Sequence, residues 1–174
     1  MKRNTEKSSN PKIKIREMKI DDLAPAFHLG EKLFTFNKVI NLYRIWDEYE
    51  IVDFFNTSSD YCFTAFVDER FAGFIAGSMV EKKRSHAKYG YLVWIAVDPE
   101  FHRHGIASRL FSEFKSRMKQ DGATSLIVDT QSDSKEAILF FLSKGFGSPS
   151  DHIYLSLNIK SERNKAEKKP KEQE

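Results

Sequence analysis

Residues 89–120 read YGYLVWIAVDPEFHRHGIASRLFSEFKSRMKQ. The first part, Tyr89 to Val97, is apolar on both faces. Tyr91, Val93, Ile95 and Val97 lie along one, and Leu92, Trp94 and Ala96 along the other. A strand of this kind is covered on both sides and central in its sheet. Asp98-Pro99-Glu100 ends it, because proline has no N–H for a ladder. From Gly105 the period changes: Ile106, Leu110, Phe111, Phe114 and Met118 form a helical stripe that Asp121-Gly122 stops. A loop of two histidines, an arginine and a glycine therefore delivers a strand onto a helix N-terminus. The N–H groups there lack intrahelical partners, and the helix dipole is positive, so the arrangement suits an anion.

Upstream, Ile13 to Met18 alternates apolar and polar as a half-buried strand does. Asp21 and Asp22 cap a helix that runs to about Leu33, with Pro25 in its first turn. Leu42, Ile45, Trp46, Tyr49, Val52 and Phe55 then predict a second amphipathic helix, broken by 56–60. Tyr61 to Val67 and Phe71 to Val80 read as a hairpin across Asp68-Glu69-Arg70. Downstream, Leu126 to about Thr130 is a strand. Ser132 to Ser134 cap a helix lined by Ala137, Ile138, Phe141 and Leu142, and Ile153 to Ile159 is a last strand. The order β α α β β β α β α β predicts a three-layer α/β/α sandwich around one mixed sheet.

The folding unit spans residues 13–159, and the 1–12 and 160–174 segments read as disordered tails too polar to bury a core. The chain's net charge is +3, and the tails together carry +5. Four cations face one acid in the first and six face four in the second, which leaves the core at −2. A nucleic-acid binder carries its surplus on the folded face, so nucleic acid is not an expected partner. There is one cysteine, Cys62, and no apolar run of about 18 residues. A reducing, cytoplasmic setting and no membrane partner are therefore expected.

Three pieces of text resemble the GNAT N-acetyltransferase superfamily. They are IREMKIDDL (15–23), VDPEFHRHGIASRLF (97–111) and SDSKEAILFFLSKGFG (132–147). The second is similar to the family's [QR]xxGx[GA] acetyl-CoA motif, and the third to its closing NxxAxxFYxxxGF. Nearly all of residues 13–159 are covered. His102 stands where the family has Gln or Arg, Ser134 where it has Asn, and Phe141 where it often has an acidic Tyr.

The resemblance implies an acyl-CoA N-acyltransferase fold: a mostly antiparallel sheet that splays after the fourth strand. It implies acetyl-CoA as co-substrate, no metal, and transfer of acetyl to a primary amine. The backbone of Ile95, Ala96 and Val97 would pair with the pantetheine arm and polarise the acetyl carbonyl. His102, Arg103, His104, Gly105, Ile106 and Ala107 would wrap the diphosphate with backbone N–H groups, and Ser108 would add a side-chain contact. The bland alternative for Arg103 and His104 is two solvated loop residues. Ser134 and Phe141 would border the cofactor. A His102–His104 metal pair lacks a third ligand nearby in sequence.

The resemblance makes Asp129 the first candidate base, with a strand-end carboxylate holding backbone N–H groups as the equal alternative. Glu81 is a weaker base, and Tyr154, or Tyr91, a weak candidate acid in place of Phe141. Trp46, Asp47 and Glu48 are candidate acceptor-site residues, against the alternative of a solvated helix face with Trp46 in the core. The acceptor would be a protein N-terminus, a lysine or a small amine, and the chain a monomer or homodimer. The competing function is an acetyl-CoA sensor or scaffold without turnover, which the loss of a Tyr at Phe141 favours.

Overall fold

The structure, a computed structural model, describes residues 11–34, 46–82, 87–147, 149–150 and 153. Five strands form one sheet in chain order: β1 (Ile13–Glu17), β2 (Cys62–Val67), β3 (Arg70–Lys82), β4 (Ala87–Val97) and β5 (Ser125–Val128). The first four run antiparallel, and β5 lies parallel to β4. Helices α1 (Leu23–Leu33) and α2 (Glu48–Ser58) cover one face. Helices α3 (Ile106–Gln120) and α4 (Lys135–Ser143) cover the other. The expected three layers and mixed sheet are present. The strand expected at 153–159, apart from Ile153, and most of both expected tails lie outside the described residues. Lys12 already exchanges two hydrogen bonds with Asp68 in the β2–β3 turn, of 3.0 and 3.1 Å.

The stripe on α3 drives its docking. Ile106, Leu110, Phe111, Phe114 and Met118 are all buried against β2, β3 and β4. Burying side chains of this size stabilises by about 1.5–3 kcal/mol each before entropy is counted. Arg117 and Lys119 in the last turn complement the negative end of the dipole. On the opposite face Ala26, Leu29 and Ile51 pack against Phe74, Ala76, Trp94 and Ala96.

One ion pair ties β1 to the start of α1. Arg16 donates to both oxygens of Asp22, at 2.5 and 2.9 Å, and Lys19 N–H and the Thr64 hydroxyl also donate to Asp22. Burial alone would raise the Asp22 carboxyl, but the Arg16 hydrogen bonds and charge and the Lys19 N–H hold it below the usual range. Because its folded pKa is lowered, its stabilisation is present in full well above pH 4 and is lost as pH falls through the folded value. Asp22→Asn is expected to cost about 3 kcal/mol at pH 7, since it strands the Arg16 charge. Urea denaturation at pH 7 and below pH 4 checks this: the gap between wild type and variant narrows in acid.

Three sequence expectations need correction. The helix that carries Tyr49, Val52 and Phe55 begins at Glu48 and excludes Trp46, because Asp47 caps it by accepting from the N–H groups of Tyr49 and Glu50; Leu42 and Ile45 lie outside the described residues. The helix also runs through Ser58, three residues into the stretch expected to break it. Leu142 is exposed rather than lining the inner face of α4. Finally, the faces of β4 do not alternate throughout. Trp94 pairs with Ala76 and Leu92 with Gly77, so Val93 is an extra residue, a β-bulge. Leu92, Ile95 and Val97 consequently face α3, whereas Val93, Trp94 and Ala96 face α1 and α2. Gly77 makes room for this, since a Cβ there would lie 2.3 Å from the Tyr91 carbonyl oxygen.

Candidate active site

The bulge lies where β4 and β5 part. Their parallel ladder runs from Tyr89–Ser125 to Leu92–Val128, and β5 ends at Val128. Beyond Leu92, β4 continues through Val97 paired to β3 alone. Among the described residues the other edge of Val93 to Val97 meets no strand. The result is a fork whose β4 arm carries Ile95 and Ala96 and, among the described residues, has no strand on its outer edge. The Val97 carbonyl is engaged, because it accepts from Nε2 of His102 at 3.0 Å.

The loop after the fork is shaped by its own side chains. Asp98 caps a single turn at Pro99–Phe101 by accepting from the Glu100 N–H. His104 Nδ1 donates to the carbonyls of His102 and Phe101 at 2.9 and 3.2 Å. One nitrogen of each histidine ring is thus used on backbone carbonyls, His102 on the strand end and His104 on the loop. That explains why His can replace Gln or Arg at position 102: a ring N–H closes the loop onto the strand end. Arg103 and Gly105 both have positive φ, 65° and 74°. At Gly105, the N-cap of α3, no atom lies within 4 Å of an added Cβ, so backbone conformation and not space selects glycine. Ile106 is buried, so only its backbone faces the loop, while Ala107 and Ser108 complete the first turn.

The electrostatics of this corner favour a negative ligand. The first turn of α3 holds no acid. The two carboxylates of the loop are occupied: Glu100 pairs with Arg70 at 2.5 Å and Asp98 with Lys32 at 3.4 Å. Exposed Arg103 has no carboxylate partner among the described residues. No group of three metal-ligating side chains converges among the described residues.

Asp129 is the residue immediately after the last β4–β5 pair, at the base of the fork. Its Oδ1 accepts a hydrogen bond from the Tyr91 hydroxyl at 2.7 Å. Leu126 and Val128 pack toward α3, so alternation puts Tyr91 and Asp129 on the side of α1 and α2. Two separate sequence candidates are thereby joined. Glu81 is not joined to them. It sits opposite Lys88 near the start of β4, away from the fork, and forms an ion pair with it at 3.7 Å. Tyr154 lies outside the described residues. Phe141 is buried among Phe140 and Phe146 and supplies no proton. Ser134 is the N-cap of α4, and its side chain makes no capping hydrogen bond. Burial pushes the Cys62 thiol up to about 12, which removes it as a nucleophile near neutral pH.

The expected acceptor residues divide. Trp46 belongs to the core: its Nε1 donates to the Phe27 carbonyl at 3.0 Å, and its ring meets Phe34, Phe74 and Trp94. Asp47 is spent on capping α2, and Glu48 is exposed in its first turn. Glu50 is half-buried, and its Oε1 accepts from Nε1 of Trp94 at 2.9 Å. A residue the sequence reading missed is Lys144, which ends α4 and places Nζ 2.7 Å from the Ser108 hydroxyl on α3. The two are 36 residues apart, and Lys144 before Gly145 reads only as a helix stop.

A family model described as acetyltransferase (GNAT) family matches residues 27–147. N-alpha-acetyltransferase 30 of Schizosaccharomyces pombe is 28% identical over 87 residues, covering 50% of this chain and 57% of the relative. The chain thus spans a little over half the length of that curated relative. Among solved structures, aminoglycoside N-acetyltransferase AAC(6')-Iy in complex with CoA superposes with a TM-score of 0.69 at 18% identity, over 87% of this chain and 99% of that one. Ard1 from Thermoplasma volcanium gives 0.65 at 24% identity, over 79% and 84%. At these identities the likeness is one of fold.

Proposed function

Because this chain belongs to the acetyltransferase (GNAT) family, we propose that it transfers the acetyl group of acetyl-CoA to a primary amine by direct attack in a ternary complex. The observation that carries the reading is the fork between β4 and β5 with Asp129 and Tyr91 at its base. Peptide groups along Ile95 and Ala96 hold the pantetheine arm, and a β4 N–H polarises the acetyl carbonyl. The backbone from Arg103 to Ser108 and the positive end of α3 hold the diphosphate. His102 and His104 keep that loop in shape. Ser134 and Phe141 border the cofactor from α4.

The chemistry needs a neutral amine next to the thioester, and holding both in place supplies much of the rate. Asp129 takes the amine proton, directly or through one water. Tyr91 orients the carboxylate through its hydroxyl and is a candidate proton source for the departing thiolate, in the role that Phe141 cannot fill. The amine reaches Asp129 from the α1–α2 side, where Glu48 and Glu50 add negative charge that favours a cationic acceptor.

The loss of a hydroxyl at Phe141 also favours a second reading, an acetyl-CoA sensor without turnover. Thiol release separates the two. The purified chain is mixed with acetyl-CoA and a panel of peptides with free N-termini, lysine peptides and polyamines. Release of CoA well above solvent hydrolysis with one acceptor class supports transfer. Tight binding with no release across the panel supports the sensor.

A further inference from the structure

We infer that the Lys144 ammonium is a ligand of the coenzyme's diphosphate, reaching from the end of α4 onto the first turn of α3; this rests on the acetyl-CoA reading above. The backbone of Lys144 is fixed, since its N–H bonds the carbonyls of Phe140 and Phe141 and Gly145 follows at φ 93°. A lysine ending a helix is ordinarily explained by that helix's own negative pole. Here the side chain leaves that pole. Nζ passes 5.2 Å from the Phe140 ring centroid and stops 2.7 Å from the Ser108 hydroxyl, in the first turn of α3.

That turn is the positive end of a 15-residue helix with no acid in it. A half-buried ammonium at a positive helix end is unfavourable unless an anion sits between them. The described residues supply none. Glu100 and Asp98 are taken by Arg70 and Lys32, and neither Lys144 nor Arg103 meets a carboxylate among the described residues. An ammonium from α4 and the positive end of α3 thus meet where an anion would balance them, and Arg103 belongs to the loop that leads into that turn. Ser108 belongs to the turn assigned to the diphosphate, which selects that group over the 3′-phosphate.

The test compares acetyl-CoA with its 3′-dephospho analogue, using calorimetry at low and high salt. Lys144→Met is expected to raise Kd about tenfold for both ligands at low salt, with a weaker salt dependence than wild type. Lys144→Arg keeps the charge and is expected to stay within about threefold of wild type. Thermal melts of both variants check the fold. An unchanged Kd in Lys144→Met overturns the inference while leaving acetyl-CoA binding intact. So does a penalty that vanishes with the dephospho ligand, which would move Lys144 to the 3′-phosphate. A lower melting point with no change in Kd would reduce the contact to a structural one. A wild type that binds no acetyl-CoA overturns the acetyl-CoA reading and this inference with it.

Discussion

Asp129→Asn is expected to lower kcat by roughly 100- to 1,000-fold while leaving the Kd for acetyl-CoA within about twofold. Asparagine has nearly the same shape, and its carbonyl oxygen still accepts the 2.7 Å hydrogen bond from Tyr91. The base of the fork therefore keeps its geometry. What the amide cannot do is take a proton from the amine. The deficit should narrow as pH rises toward the amine's own pKa, about 10.4 for a lysine side chain, because a neutral acceptor no longer needs the base. Steady-state kinetics from pH 7 to pH 10 check both the drop and its recovery. Glu81→Gln is the control, and its expected effect is within twofold, since Glu81 pairs with Lys88 away from the fork. A full-rate Asp129→Asn would move the base elsewhere and leave the carboxylate a structural partner of Tyr91.

Ala107→Glu should separate binding from folding. Ala107 is the second residue of α3, half-exposed, in a first turn that contains no acid. A carboxylate there lies near the positive end of the dipole and should stabilise the free protein by about 0.3–1 kcal/mol. That corresponds to a rise in melting temperature of about 1–3 °C for a chain of this size. The same carboxylate would face the diphosphate. Two unit charges about 4 Å apart near a protein surface repel by about 4 kcal/mol, so a loss of at least 100-fold in acetyl-CoA affinity is expected. High salt should recover part of it. Calorimetry and thermal melts on the same preparation read both effects. An equal or higher melting point with ruined binding is the signature of an anion site. Unchanged affinity would place the diphosphate away from α3.

Local sequence carried the frame of the site. The change of period from Tyr89–Val97 to Ile106–Met118 located the strand and the helix, because alternation and helical spacing are properties of neighbouring residues. The buried stripe of α3 follows from the same text, whereas the positive φ of Gly105 is visible only in the structure. What was not legible depends on distant partners. The bulge at Val93 arises from pairing with Ala76 and Gly77, and it reverses which face Trp94 presents. The contact of Tyr91 with Asp129 spans 38 residues and follows from the pairing of Tyr91 with Ile127, two residues before Asp129. Leu42, Ile45 and Trp46 have helical spacing, yet Trp46 precedes the helix. The Asp47 cap sets the start at Glu48, and Trp46 is half-buried instead, edge-on to Trp94 and tilted against Phe34. Composition cannot say which way a ring turns; here His102 turns to the Val97 carbonyl at the end of β4 and His104 to carbonyls of its own loop.

The central claim is that the fork between β4 and β5 brings acetyl-CoA and an amine together beside Asp129. Intact-mass analysis of an acceptor incubated with carbon-13-labelled acetyl-CoA tests it most directly. The account predicts that one acceptor class gains a single labelled acetyl group on its amine with wild-type protein. With Asp129→Asn the label should be strongly depleted at equal time, and with Ala107→Glu nearly absent. No label on any peptide N-terminus, lysine or small amine, from protein that binds acetyl-CoA tightly, would contradict it.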